Sequence, residues 1–181
     1  MDRNLNELEG TVLGLIGVKG PCTPYVVRKE FQQSSSLFWS GSAGTIYPLI
    51  ERLARQKLIK HVSTRDDNRG GNLYVLTKAG EKALKDWLYQ PDSPVVIGIP
   101  PDPLRNRVGI LAFLAPKLRR SFVEKVAIEL ENQLELYVGK CEELRKTDLF
   151  EYLLFRGAIL NVQARLDWIR EVAISLEKKR V

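Results

Sequence analysis

The chain is poor in the residues that most often carry chemistry. One histidine, His61, and two cysteines far apart, Cys22 and Cys141, are spread over 181 residues. Neither cysteine has a companion Cys or His at ligand spacing, which argues against a zinc site and against a disulfide framework. Both read as reduced packing residues. No apolar run approaches the roughly 20 residues of a membrane-spanning helix. The apolar stretch Val12–Val18 is too short, and it follows Glu7 and Glu9 where a signal peptide carries positive charge. The expected location is the cytoplasm, with no membrane partner. Gly41-Ser-Ala-Gly44 lacks the lysine of a P-loop and the spacing of a dinucleotide fingerprint, and no nucleophile motif is present. His61 reads as a strand residue rather than a base. No catalytic residue, cofactor or metal site is expected, since Asp66-Asp67 would need further oxygen ligands to hold a divalent cation.

What the chain does have is an ordinary hydrophobic content of 44% and a net charge of +6. The first suits a soluble globular chain of one domain or two small ones, and the second favours polyanionic partners. Up to Gln90 there are 13 Lys and Arg against 9 Asp and Glu, and beyond it 15 against 13, so the excess leans toward the N-terminal half. A merely soluble basic surface would look the same on charge alone.

Five of the nine prolines fall between Pro91 and Pro103. Neither a long helix nor a central strand persists through such a run. The spacing therefore predicts domains over residues 1–90 and 104–181 with a connector over 91–103, in which Val95-Val96-Ile97 is apolar enough to be expected to pack against a flanking domain.

In the first domain, Asn6 and Glu9 form a capping-box pair ahead of Leu8, Val12, Leu15 and Ile16 at helical spacing, and this helix ends near Gly17–Gly20. Thr23-Pro24 combines an N-cap residue with a proline at the first helical position, predicting a second helix from Pro24 to about Gln32, followed by a turn at Ser34–Ser36. Ser42 is the expected cap of a third helix that buries Ile46, Leu49, Ile50 and Leu53, with Tyr47, Glu51, Arg52 and Arg55 on other faces. Pro48 predicts a kinked or loosened first turn there. Lys60–Thr64 and Leu73–Leu76 read as hairpin strands joined through Gly70-Gly71. Thr77 caps a fourth helix carrying Ala83, Leu84, Trp87 and Leu88 on one side. Helix, strand, glycine-tipped loop, strand and helix in that order is the second half of a winged helix-turn-helix.

The second domain reads as helical. Leu118, Phe122, Val126, Leu130, Leu134, Tyr137, Cys141 and Leu144 recur three or four apart over about seven turns. Leu149, Leu153, Phe155, Ile159, Val162, Leu166, Ile169, Ala173 and Leu176 follow. Asp148, with Glu151 three residues on, restarts the helix, so the two segments form an antiparallel hairpin. Two helices alone leave apolar surface uncovered, and a homodimer is the simplest completion. The expected fold class is mostly α: an α+β winged-helix domain followed by an all-α dimerisation domain.

Double-stranded DNA is the partner that this arrangement suits. Around the third helix, Ser42, Thr45, Tyr47, Arg52 and Arg55 are candidate contacts, joined by Arg65 and Arg69 in the wing. Tyr47 alternatively lies half buried, and Arg52 and Arg55 alternatively pair with Glu51. Asp66-Asp67 in the wing would repel phosphate, leaving Arg69 and backbone amides as its contacts. Trp87, Phe122 and Trp168 are candidates for a small aromatic effector, although aromatics at helical spacing more often belong to a core. The rival reading is a winged-helix protein–protein interaction module without operator binding.

Residues Leu8–Leu88 resemble the PadR-type bacterial transcriptional regulators. The resemblance rests on Gly44-Thr-Ile-Tyr-Pro-Leu49, Arg52-Leu53, Leu58-Ile59, Tyr74-Val-Leu-Thr77 and Gly80, with Tyr25 after the second helix's cap. It departs at Pro24, where many members have glycine, and at Asp66-Asp67-Asn68 in the wing. The resemblance implies a dimeric DNA-binding regulator, usually a repressor, whose C-terminal helices form the dimer.

Overall fold

The computed structural model describes residues 5–33, 42–62 and 72–178. Two compact units divide at Pro100 and Pro101, inside the proline-rich connector.

In the first unit, α1 (Glu7–Lys19) starts on the expected capping box: the Asn6 side chain accepts from the Glu9 amide at 2.9 Å, and the Asn6 amide donates to Glu9 Oε2 at 3.1 Å. Gly20 closes it at φ 75°, a conformation suited to glycine. The helix buries Val12, Leu13 and Ile16, and the periodicity did not single out Leu13. It is central because it packs on α2 (Pro24–Gln33), α3 (Ala43–Arg55), β2 (Leu73–Leu76) and α4 (Lys78–Leu88). Glycines at positions 10, 14 and 17 of one face let its neighbours approach: a Cβ on Gly10 would run into the Trp87 indole, and one on Gly17 would lie 3.0 Å from Leu76 Cδ1.

Thr23 caps α2, its Oγ1 accepting from the Val26 amide at 3.3 Å. The turn expected at Ser34–Ser36 lies outside the described residues. α3 buries Ile46, Leu49, Ile50 and Leu53 as predicted. It continues through Pro48 as one helix, with the Thr45 amide reaching the Ser42 carbonyl at 3.1 Å in the first turn. The carbonyl left without its helical donor belongs to Gly44, which is exposed and open to water.

After α3 the chain turns through a Schellman arrangement, with the Lys57 amide on the Ala54 carbonyl at 2.9 Å and the Leu58 amide on that of Leu53 at 3.1 Å. Strand β1 (Ile59–Val62) pairs antiparallel with β2, from Ile59 opposite Leu76 to Val62 opposite Leu73. The first strand thus begins one residue earlier than predicted, and its expected end at Thr64 lies outside the described residues. Cys22 bridges the free edge of β2 through two bonds with Tyr74. Thr77 caps α4, accepting from the Gly80 amide at 3.0 Å. Ala83, Leu84 and Trp87 pack on the core, but Leu88 is 65% exposed, because the apolar stripe of α4 outruns the α1 surface that covers it. The connector holds a one-turn helix α5 (Pro94–Ile97), whose Val95, Val96 and Ile97 are exposed rather than packed as expected.

The second unit comprises α6 (Pro103–Gly109), a 3-10 turn over Leu111–Phe113, α7 (Pro116–Leu144) and α8 (Leu149–Lys178). Asp148 caps α8 through the Phe150 and Glu151 amides, both at 3.0 Å. Glu131 pairs with Arg170, Tyr137 stacks edge-on to Phe155, and Cys141 meets Tyr152, so α7 and α8 are antiparallel. Val123, Leu130, Tyr137, Cys141, Phe155, Ile159, Val162, Leu166 and Ile169 form the core, completed by Leu104 and Leu111. Leu118, Leu149 and Leu153, expected on the buried stripe, are exposed near the helix ends where the partner helix gives no cover.

Candidate nucleic-acid interface

One face of α3 is open. Gly44, Tyr47, Pro48, Glu51, Arg52 and Arg55 are exposed at helical spacing, opposite the buried Ile46, Leu49, Ile50 and Leu53. At its N-terminus Ser42, Ala43 and Gly44 are exposed; the Thr45 amide donates to the Ser42 carbonyl at 3.1 Å, which leaves the Ala43 and Gly44 amides as the donors this end offers an anion.

The sequence-predicted residues fall into three groups. Ser42 occupies the N-cap position, but its hydroxyl makes no capping bond. It pairs instead with Thr45 Oγ1 at 2.8 Å, which sets two hydroxyls side by side on the first turn. Tyr47 is 40% exposed. Arg55 is exposed in the last turn and makes no ion pair among the described residues.

Arg52 behaves differently. Its Nη2 donates to Glu9 Oε1 at 3.0 Å, so its partner is the buried carboxylate of α1, not Glu51. Arg65 and Arg69, with Asp66-Asp67, lie outside the described residues. The last strand pair, Val62 with Leu73, fixes where their loop leaves the sheet.

Sequence reasoning passed over the basic side of α2. The Arg28 guanidinium lies 5.5 Å from the centroid of the Tyr25 ring, and Tyr25 and Lys29 are exposed. Their spacing of three and four residues was the available signal.

The effector candidates each serve a core. Trp87 packs on α1 at Gly10, while Phe122 and Trp168 are half-buried against the helical core of the second unit. His61 is a strand residue set edge-on to Tyr74. Cys22 and Cys141 are buried free thiols. Burial pushes the Cys22 thiol up, with Glu30 adding to the shift and Lys19 opposing it. Among the described residues no group of three or more His, Cys, Asp or Glu could hold a metal ion, and no helix is long and apolar enough to cross a membrane.

Residues 12–86, from α1 to the end of α4, match the model of the transcriptional regulator PadR-like family. The chain carries a PadR-like family domain. Beyond that domain, the similarity to PadR proteins runs through both units. Bacillus subtilis PadR in complex with operator DNA superposes with a TM-score of 0.82 at 20% identity, over 96% of this chain and 99% of that one. The same protein in complex with p-coumaric acid gives 0.75 at 20% identity, over 94% and 95%. A probable transcriptional regulator of Mycobacterium tuberculosis is 23% identical over 178 residues, 86% of this chain and 90% of that one. The PadR-like family and these relatives are transcriptional regulators, not enzymes.

Proposed function

We propose that the chain is a cytoplasmic homodimer that binds operator DNA sequence-specifically and represses transcription by occupying its site. The observation that carries this reading is the exposed α3 face, with open amides and paired hydroxyls at one end and Arg55 at the other, on a PadR-like domain. Each copy lays α3 in a major groove, with Ser42, Thr45 and Tyr47 near the backbone, Arg55 further along and the Arg65–Arg69 wing beside it. The two half-sites then lie about one helical turn apart, roughly 34 Å.

Dimerisation is supported by the apolar side chains that α7 and α8 leave in water. Ile128, Leu136, Leu154, Leu160 and Ile174 are all exposed, more than scattered surface residues require. A second copy of the same hairpin covers them with a self-complementary surface. Because Bacillus subtilis PadR has been captured with p-coumaric acid, a small aromatic acid is the effector class proposed for this chain. It acts by binding a dimer whose recognition helices are out of register with the half-sites better than the DNA-competent one.

The test is selection of genomic fragments by the purified full chain, followed by footprinting. Two protected half-sites one turn apart support the reading. Retention of no fragment above background overturns it in favour of a protein-binding winged helix.

A further inference from the structure

Helix α8 carries two apolar faces. One sets Phe155, Ile159, Val162, Leu166 and Ile169 into the core shared with α7. On the opposite side Phe150 is 80% exposed, Leu153, Leu154 and Leu160 are each more than half exposed, and Ala164 lies open about one turn further on. These side chains recur three and four residues apart and surround Gly157. No ionisable residue falls on the stripe between Phe150 and Ala164. Asn161 shares it, but its side-chain amide is turned back onto the Gly157 carbonyl at 2.9 Å, so that donor stays satisfied when the stripe is covered.

Nothing among the described residues explains Gly157. Glycine weakens a helix interior relative to alanine, and a Cβ built here meets no described atom within 4 Å. A second helix seated on the stripe supplies the reason, because glycine lets two backbones approach more closely than the usual separation of about 8–10 Å between helix axes. The stripe is also complementary to itself. A two-fold axis through Gly157, perpendicular to α8, runs a second copy antiparallel and brings together residues equally far on either side of the glycine. Leu154 then meets Leu160, and the Phe150 ring meets the small Ala164. A parallel pairing would instead crowd Phe150 against Phe150 and leave a gap where Ala164 faces Ala164.

Helix α7 offers a contrast. A Cβ on Gly139 also meets no described atom within 4 Å, but the surface beside it is bordered by Asn132, Glu135, Lys140 and Glu143, with Leu136 the apolar exception. That side of α7 is polar enough to stay in water.

We infer that the homodimer is centred on Gly157, where α8 of one copy crosses α8 of its partner antiparallel. The inference rests on the homodimer reading above and names the helix and the residues that make the contact.

Full-length wild type, Gly157→Arg, Gly157→Cys and Gly139→Arg are compared by sedimentation equilibrium at micromolar concentration, with circular dichroism to follow helicity. Wild type and Gly139→Arg are expected to be dimers. Gly157→Arg sets two guanidinium groups against each other at the axis, so the dimer weakens about a hundredfold or more and the chain sediments as a monomer. Gly157→Cys places two thiols at the crossing, within the Cα separation of roughly 4.4–6.8 Å that a disulfide spans, and mild oxidation should link the copies. The wild type, whose Cys22 and Cys141 are buried, should not be linked. A Gly157→Arg chain that stays dimeric, or a Gly157→Cys dimer that does not cross-link, overturns the inference and leaves the homodimer in place. Dissociation of Gly139→Arg alone moves the contact to α7. If Gly157→Arg loses helicity, or if both arginine variants dissociate, the cross-link decides. A wild type that is monomeric overturns the inference together with the reading it rests on.

Discussion

Gly80 lies against the backbone carbonyl of Leu58, with no room between them for a Cβ. That contact joins the first turn of α4 to the exit of α3. It is reinforced by the Thr77 hydroxyl, which donates to the Lys57 carbonyl at 2.6 Å, and by the Thr77 amide, which donates to the Leu58 carbonyl at 3.0 Å. Backbone cannot retreat as a flexible side chain does. Gly80→Ala is therefore expected to destabilise the first unit by about 1–3 kcal/mol, the range for overpacking a tight site. Urea denaturation checks it: the midpoint falls, and an unchanged midpoint would show that the junction has slack.

Gly44 provides the opposite case. Nothing lies within 4 Å of a Cβ built there, and the residue is helical and exposed. Gly44→Ala is expected to raise stability by about 0.5–1 kcal/mol through helix propensity. The same methyl would occupy the space through which the helix start approaches a phosphate. Duplex affinity should fall while the melting temperature rises, and a variant that gains both would remove the α3 N-terminus from the interface.

Lys57 is the one non-glycine residue with positive φ among those described, at 61°. It fills the position after α3 at which glycine is preferred, since a side chain there crowds the backbone by about 1 kcal/mol. Lys57→Gly gains stability by up to about 0.5 kcal/mol once the looser unfolded chain is counted, whereas Lys57→Val loses more than 1 kcal/mol. Thermal melts of the two variants should move in opposite directions.

The Cys22 thiol gives a pH signature. Its folded pKa is raised, first by burial, so the folded chain holds the proton at pH values where the unfolded chain releases it. The resulting stability is complete below the unfolded thiol value, about 8.5, and is lost as pH rises above it toward the folded value. As pH rises above about 8.5, Cys22→Ala should remove part of the decline in unfolding free energy seen in the wild type. Parallel declines would exclude the thiol as its source.

Caps were the most legible part of the fold in sequence. Asn6 with Glu9, Thr23 with Pro24, Thr77 and Asp148 each act over two or three residues, so spacing alone announces them. Helical periodicity placed Ile46, Leu49, Ile50 and Leu53 on one buried face for the same reason. Periodicity tells which residues share a face, not whether anything covers it. That is why Leu88, Leu118, Leu149 and Leu153 were expected inside and are exposed, while Val95–Ile97, expected to pack from composition alone, are exposed too. The Glu9–Arg52 pair was hidden because its partners are 43 residues apart, so that Glu51 was the only carboxylate the local spacing offered Arg52. The glycines at 10, 14 and 17 were equally opaque, since a close approach between helices has no local mark in the chain.

The central claim is that two copies of α3 and the loop that carries Arg65 and Arg69 are held on one stretch of duplex largely by phosphate contacts. Affinity of the full chain for a selected duplex, measured at equilibrium from 50 to 200 mM salt, tests it most directly. With about six to ten counterions released by the pair of subunits, affinity is expected to fall about 10³- to 10⁵-fold across that range. Binding that stays level from one end of the range to the other would contradict it.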